Sequence, residues 1–314
     1  MRYGILSTSS IAPRFIAAVR AAKAGTIVAV SSRTQEKARE KAALWEIPKA
    51  YGAHGELLLD KDVNIVYISN VNSQHYVWAK QALLAGKHVV CEKPCTTEGE
   101  KTRELFALAR EKGLFFMEAE KMLFLPALLE VKKRIEQGDL GEITMAQMTH
   151  SFSPQYNNWM FDEAAGGGPL LSSGIYAVQL IIWLFGGISQ IGGFCSQKET
   201  GVEWQYILSG VTETGILFSA ANSTGGKLCN TARISGTKGY VEIPNYWKAS
   251  KAIFHIAGEE DRTVEFPCEY ELMYEAQHIQ ECFEKGLLTS PVVTEEISVQ
   301  GIAALETAKK NWRK

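Results

Sequence analysis

Cys91-Glu92-Lys93-Pro94 sets a thiol, a carboxylate and an ammonium together at the end of an apolar run, and each of these groups can do chemistry. A lysine beside a reacting oxygen donates hydrogen bonds to it and lowers the pKa of a neighbouring acid. A carboxylate next to that lysine orients it or accepts from a sugar hydroxyl. Taken alone, the run also fits a solvated surface turn, so its weight depends on what the chain brings to it. The thiols carry less. Cys91, Cys95, Cys195, Cys229, Cys268 and Cys282 include no C-x-x-C pair and no histidines at metal spacing. They read as reduced, packed side chains, and no metal centre is expected.

For Glu92 and Lys93 to act, a rigid frame must hold them, and residues 1–118 supply one. Short runs at 3–6, 26–31, 64–69, 88–91 and 114–118, several of them rich in Val and Ile, predict strands. Amphipathic stretches near 11–22, 35–45, 74–85 and 98–112 predict helices between them. Asn72 or Ser73 is placed to cap the third helix, and Gly86 and Gly113 stand at C-terminal cap positions. This alternation predicts an α/β Rossmann domain with a doubly wound parallel sheet.

From 119 to 314 the rhythm changes. Helices near 126–137 and 170–184 flank a strand near 144–151. Strands then follow near 204–209, 215–221, 228–235, 240–243, 252–256 and 263–266, before helices near 271–285 and 295–311. Strands this close leave no room for crossover helices, so an α+β domain with a large, mostly antiparallel sheet is expected. Its role would be substrate binding and oligomerisation. Ile216, Phe218, Ala220 and Ile207 suit either a homo-oligomer contact, dimer or tetramer, or the domain's own helices.

Composition sets outer limits. At 314 residues the chain has room for two domains, and with 33 basic against 35 acidic residues it carries no field suited to nucleic acid or an anionic membrane. The longest apolar stretch, 175–185, is too short to span a bilayer, and the N-terminus lacks a signal-peptide pattern. A cytoplasmic protein acting on a small molecule is expected.

A phosphate-bearing ligand would have to be held locally. Gly4-Ile5-Leu6-Ser7-Thr8-Ser9-Ser10-Ile11-Ala12 occupies the strand-to-helix turn where a dinucleotide fingerprint belongs. The glycine positions of G-x-G-x-x-G/A read Ser7, Ser9 and Ala12, so only the third fits. Ser7, Thr8, Ser9, Ser10 and Ile11 still offer hydroxyl and amide donors to a phosphate at the helix terminus. The second strand ends Ser31-Ser32-Arg33 with no acid between Val28 and Gln35. NAD sites place an acid there for the ribose 2′-hydroxyl, whereas Ser32 and Arg33 suit the 2′-phosphate of NADP(H). Asn70, ending the fourth strand, is placed to approach the nicotinamide side. His75 fits either a cofactor contact or a helix cap.

The run Ala85-Gly86-Lys87-His88-Val89-Val90-Cys91-Glu92-Lys93-Pro94 resembles the glucose-fructose oxidoreductase, inositol dehydrogenase and MocA (Gfo/Idh/MocA) family. Asn72-Ser73-Gln74-His75, Met117-Glu118-Ala119 and Gly166-Gly167-Gly168-Pro169-Leu170-Leu171-Ser172-Ser173-Gly174-Ile175-Tyr176 are similar to further family segments. The likeness covers nearly the whole chain. It is strongest to the dimeric dihydrodiol dehydrogenase and xylose dehydrogenase branch, because Tyr176 stands where many sugar dehydrogenases have histidine.

The resemblance implies Lys93 and Tyr176 as a catalytic pair, with Tyr176 as general acid in reduction and base in oxidation. It implies that Glu92 positions Lys93 or the nicotinamide ribose, and that the Lys93–Pro94 peptide is cis. Glu118, Ser172 and Tyr176 would face the substrate, and Trp159, Phe161 and Trp247 either wall it or pack in the core. Ser172 replaces the aspartate the family usually has four residues before its active-site tyrosine or histidine, and Gln179 replaces a second acid. A polyol thereby loses a carboxylate acceptor, which leaves room for a less polar diol or carbonyl substrate. Two functions follow: an NADP(H)-dependent dehydrogenase acting on a sugar, polyol or dihydrodiol, or a non-catalytic NADP(H)-sensing protein of the same fold. Retention of both Lys93 and Tyr176 favours the enzyme.

Overall fold

A computed structural model describes residues 1–153, 159–197 and 200–313. The chain forms two compact units. The first is Met1–Glu120 with Tyr270–Ser298, and the second is Lys121–Glu269 with Val299–Lys314.

In the first unit the strands are β1 (Arg2–Leu6), β2 (Thr26–Ser31), β3 (Lys49–Tyr51), β4 (Ile65–Ile68), β5 (His88–Glu92) and β6 (Phe116–Ala119). They form one sheet in the order β3-β2-β1-β4-β5-β6, and every pairing is parallel. The helices are α1 (Ala12–Ala22), α2 (Gln35–Leu44), α3 (His54–Leu59), α4 (Asn72–Leu84) and α5 (Gly99–Lys112). Helical cover explains why β4 and β6 are buried at every position, as a parallel sheet requires. Leu6, Val66, Ile68, Val89, Cys91 and Phe116 lie in one hydrophobic cluster. Because the strands run the same way, the segments after β1, β2, β4 and β5 all leave from one edge of the sheet.

Sequence periodicity finds the long elements to within a residue or two but passes over β3 and α3, which have three and six residues. It also mistakes the cap of α4. The N-cap is Val71, with no side-chain cap, and Asn72 is the first helical residue. The segment 270–298 joins this unit through long-range contacts that local sequence does not announce. Its helix α8 (Met273–Glu284) packs on α1, Arg14 pairs with Glu271, and Phe116 N–H donates to Leu288 O at 3.0 Å. A single cut after residue 118 therefore does not describe the compact units.

The second unit carries α6 (Pro126–Glu136) and α7 (Ile175–Phe185). Its strands are β7 (Ile143–Ser151), β8 (Ile188–Gln197), β9 (Glu203–Thr212), β10 (Leu217–Ser223), β11 (Thr231–Gly236), β12 (Gly239–Pro244), β13 (Lys251–Ile256), β14 (Arg262–Glu265) and β15 (Trp312–Arg313). The sheet order is β14-β13-β12-β11-β7-β10-β9-β8-β15, antiparallel except that β7 runs parallel to β10 and β8 to β15. β8 escapes sequence analysis because Gly192 and Gly193 interrupt its apolar pattern. Helix α9 (Glu295–Lys310) begins in the first unit and ends in the second. Among the described residues no helix is long and apolar enough to cross a membrane.

Candidate active site

The segment after β1 turns sharply. Ser7 has φ 111°, in the region that favours glycine, and its N–H donates to Ser31 O at 3.2 Å. The fingerprint's first glycine position thus keeps a glycine-like backbone although the residue is serine. Thr8 Oγ1 lies 3.3 Å from Ser32 Oγ, and Ser9 Oγ donates to Ser69 Oγ at 2.8 Å. These hydroxyls tie the turn to the ends of β2 and β4. Helix α1 follows, with Ile11 at its N-cap, no side-chain cap and no acid in its first turn. Within it Ala12 N–H donates to Ser9 O at 3.3 Å, Arg14 N–H donates to Ile11 O at 3.0 Å and Pro13 has no N–H, so an anion here would be met by the turn before the helix, while the fully buried Ala12 permits close packing beneath.

Arg33 follows β2, exposed, and makes no ion pair among the described residues. Its charge, after burial, holds the imidazole of His54 below its ordinary pKa. His54 Nδ1 sits 2.9 Å from Ser31 Oγ, and its ring meets Trp78 edge-on. Sequence analysis overlooked His54 because it lies in the short α3.

Asn70 places Oδ1 in a buried position with no hydrogen-bond partner among the described residues. A buried acceptor left this way is costly unless something donates to it. With the glycine-like turn after β1 and its hydroxyls, it makes this sheet edge fit a nicotinamide dinucleotide. Ser7 to Ile11 would hold the phosphates, Ser32 and Arg33 the adenosine ribose end, and Asn70 the nicotinamide end.

Lys93 follows β5, and the Lys93–Pro94 peptide is cis. Glu92 Oε1 accepts from Tyr67 Oη at 2.5 Å. Tyr67 is stacked flat on Phe15 at 3.7 Å, and burial followed by the Glu92 charge drives its phenol well above the ordinary range. Tyr67 therefore serves as a fixed donor that holds Glu92.

His75 and Glu118 brace the protein rather than offering open atoms. His75 is 1% exposed, with Nδ1 2.8 Å from Pro94 O and Nε2 2.9 Å from Asn70 O. It does not cap α4; it links the segments after β4 and β5. Burial lowers its pKa, and the neutral ring donates to one carbonyl at a time. Glu118 is fully buried and accepts from Cys95 N–H at 2.9 Å, on the side of β5 where Cys91 also packs. Burial, reinforced by Glu118, raises both thiols well above their usual pKa, as inert packed cysteines require.

The second unit holds Tyr176 in the first turn of α7, 8% exposed. Ahead of it Leu170–Gly174 forms a π-helical turn, where sequence periodicity predicts one continuous helix from 170. The glycines before it are forced by close approach. A side chain on Gly167 would meet Met160 O at 2.6 Å, and one on Gly168, at φ 107°, would meet Glu203 Oε1 at 2.3 Å. Ser172 donates to Gly168 O at 2.8 Å. Trp159 and Phe161 share a 3-10 turn and are half-buried. Gln179 is fully buried beside Gly301. Trp247 stacks on His150 at 3.8 Å.

A classic-order Rossmann sheet with this edge chemistry, joined to a second unit built on a large mixed sheet, defines a nicotinamide-nucleotide oxidoreductase. Residues 1–120 match the family model described as oxidoreductase family, NAD-binding Rossmann fold, and residues 128–242 match the GFO/IDH/MocA C-terminal domain. The chain belongs to the Gfo/Idh/MocA family and is an NAD(P)-dependent dehydrogenase acting on CH–OH groups. It is similar to the trans-1,2-dihydrobenzene-1,2-diol dehydrogenase of Mus musculus, at 34% identity over 99% of this chain and 96% of that one. The Homo sapiens enzyme of the same name is also 34% identical, over 93% and 91%. Among solved structures, the 3-ketoreductase KijD10 from Actinomadura kijaniata with NADP and TDP-benzene superposes with TM-score 0.91, at 23% identity over 100% and 98%. Levoglucosan dehydrogenase with NADH and levoglucosan gives 0.88, at 20% identity over 99% and 98%.

Proposed function

We propose that the protein is an NADP(H)-dependent dehydrogenase of a dihydrodiol, or of a sugar or polyol, with Lys93 and Tyr176 as its catalytic pair. The observation that carries the substrate class is the 34% identity to dihydrodiol dehydrogenases over nearly the full length of both chains. It agrees with Ser172 in place of the usual acid, since a diol on an apolar ring needs fewer carboxylate acceptors than a polyol. The preference for NADP(H) rests on Arg33, exposed and without an ion pair after β2.

Bound nicotinamide supplies or takes up the hydride. Lys93 donates hydrogen bonds to the substrate oxygen, and its fixed charge favours the Tyr176 phenolate. Tyr176 takes the hydroxyl proton during oxidation and returns it to the carbonyl oxygen during reduction. Glu92, held by Tyr67, orients Lys93 or a ribose hydroxyl.

We also propose that the second unit's sheet forms a homo-oligomer contact. Phe194, Ile207 and Leu217 are 60%, 60% and 52% exposed, and strand alternation puts them on one face. Phe218 and Ala220, only 3% exposed, lie on the other face, so the stripe seen in sequence divides between the two.

Cofactor binding is tested by tryptophan fluorescence, and turnover with trans-1,2-dihydrobenzene-1,2-diol and a panel of aldoses. Lys93→Met and Tyr176→Phe each lower kcat about 10²-fold or more. Arg33→Ala weakens NADPH about 10- to 100-fold and leaves NADH unchanged. Tight NADPH binding without turnover of any diol or aldose would instead support the nucleotide-sensing reading. Better binding of NADH than NADPH, with no effect of Arg33→Ala, would remove the cofactor preference.

A further inference from the structure

We infer that Asn222 and Ser173 are positioning residues that set the placement of Tyr176 by holding the π-helical turn ahead of it; this rests on Tyr176 being the proton-transfer group. Asn222 lies on β10, paired with His150 on β7 and Tyr206 on β9, so its backbone is fixed from both sides. It is 2% exposed, and its Nδ2 donates to Ser173 Oγ at 2.7 Å. Ser173, also 2% exposed, donates in turn to Pro169 O at 2.9 Å. A chain of hydrogen bonds thus runs from a central strand into the turn.

The turn is held at two further points. Leu170 N–H donates to Glu203 Oε1 at 2.9 Å, and Gly174 lies so close to Tyr206 that a side chain there would meet its hydroxyl at 2.8 Å. The first and fourth residues of Leu170–Gly174 are thus hydrogen-bonded by side chains of β9 and β10, and the fifth leaves no room for a side chain beneath Tyr206.

Stability alone does not account for Asn222. Its Oδ1 is buried and finds no hydrogen-bond partner among the described residues, a cost that a leucine of similar size would not carry. What the amide gives in exchange is a directional bond to the turn. A π turn holds one residue more than the α-helix that follows, and in an α-helix each residue turns about 100° and rises about 1.5 Å. If the turn relaxed to α geometry, Tyr176, three residues beyond Ser173, would rotate and slide by about that much. A misplacement of about 1 Å at a reacting group costs on the order of 10²-fold in rate.

The test uses the full chain with NADP⁺ and trans-1,2-dihydrobenzene-1,2-diol. Asn222→Leu and Ser173→Ala each lower kcat about 10- to 100-fold, with KM and NADPH affinity changed by less than about threefold. They also displace the limb of the kcat–pH profile that reports the Tyr176 phenol. Because both act through one bond, the double variant loses no more than the worse single variant. Should Asn222→Leu fail to fold, Ser173→Ala, which removes one oxygen, carries the test. Wild-type kcat and an unshifted pH profile in a folded variant would overturn the inference while leaving Tyr176 its role. Tyr176→Phe turning over as well as wild type, or a wild type inert on the diol, would overturn the reading on which it rests.

Discussion

Replacing Ser7 by glycine should stabilise the protein, against the usual sign of such a change. Serine at φ 111° is strained by its Cβ, at a cost on the order of 1–3 kcal/mol. Glycine relieves that strain but adds unfolded-chain freedom worth about 0.5–1 kcal/mol. No hydrogen bond of the Ser7 hydroxyl is lost among the described residues, and the N–H to Ser31 O remains. The balance is a gain of about 1 kcal/mol. Ser10, exposed and without positive φ, provides the control: Ser10→Gly keeps only the entropic cost and lowers stability by about 0.5–1 kcal/mol. Urea unfolding of the cofactor-free protein measures both, with the slope checked for constancy. Ser7→Gly destabilising as much as Ser10→Gly would show that the backbone at this position carries no strain. Ser7→Ala, which keeps the Cβ, should fall near wild type.

Gly168→Ala should destabilise by about 2–5 kcal/mol, because positive φ and the buried Glu203 carboxylate both oppose a side chain; thermal unfolding measures it. Burial holds the Glu203 carboxyl above its ordinary pKa. The folded state therefore binds this proton more tightly than the unfolded chain, so its contribution is fullest below the unfolded pKa and is lost as pH rises through the folded value. Glu203→Gln keeps an acceptor for Leu170 N–H and should gain stability relative to wild type at pH 7 but not at pH 4. A constant difference between the two proteins across that range would refute it. Ile207→Glu, on the exposed sheet face, should convert the proposed oligomer to monomer in sedimentation at micromolar concentration; an unchanged mass would place the contact elsewhere.

Local chemistry determined much of this protein. The β-branched strands and amphipathic helices of residues 1–118 were legible because a covered parallel sheet demands continuous apolar runs, and periodicity reports them directly. Glu92-Lys93-Pro94 and Arg33 were legible as groups able to act, and Tyr176 only through the family resemblance. What the sequence left open was where side chains meet over long separations. Nothing local shows that Glu118 accepts from Cys95 N–H, that His75 is enclosed between two carbonyls, or that 270–298 completes the first unit. Nor does helical periodicity reveal the π turn before Tyr176, since that turn is held by Glu203, Tyr206 and Asn222 from strands 30 to 50 residues away. Pattern records which face of an element is apolar. Only tertiary packing decides which buried polar groups find each other.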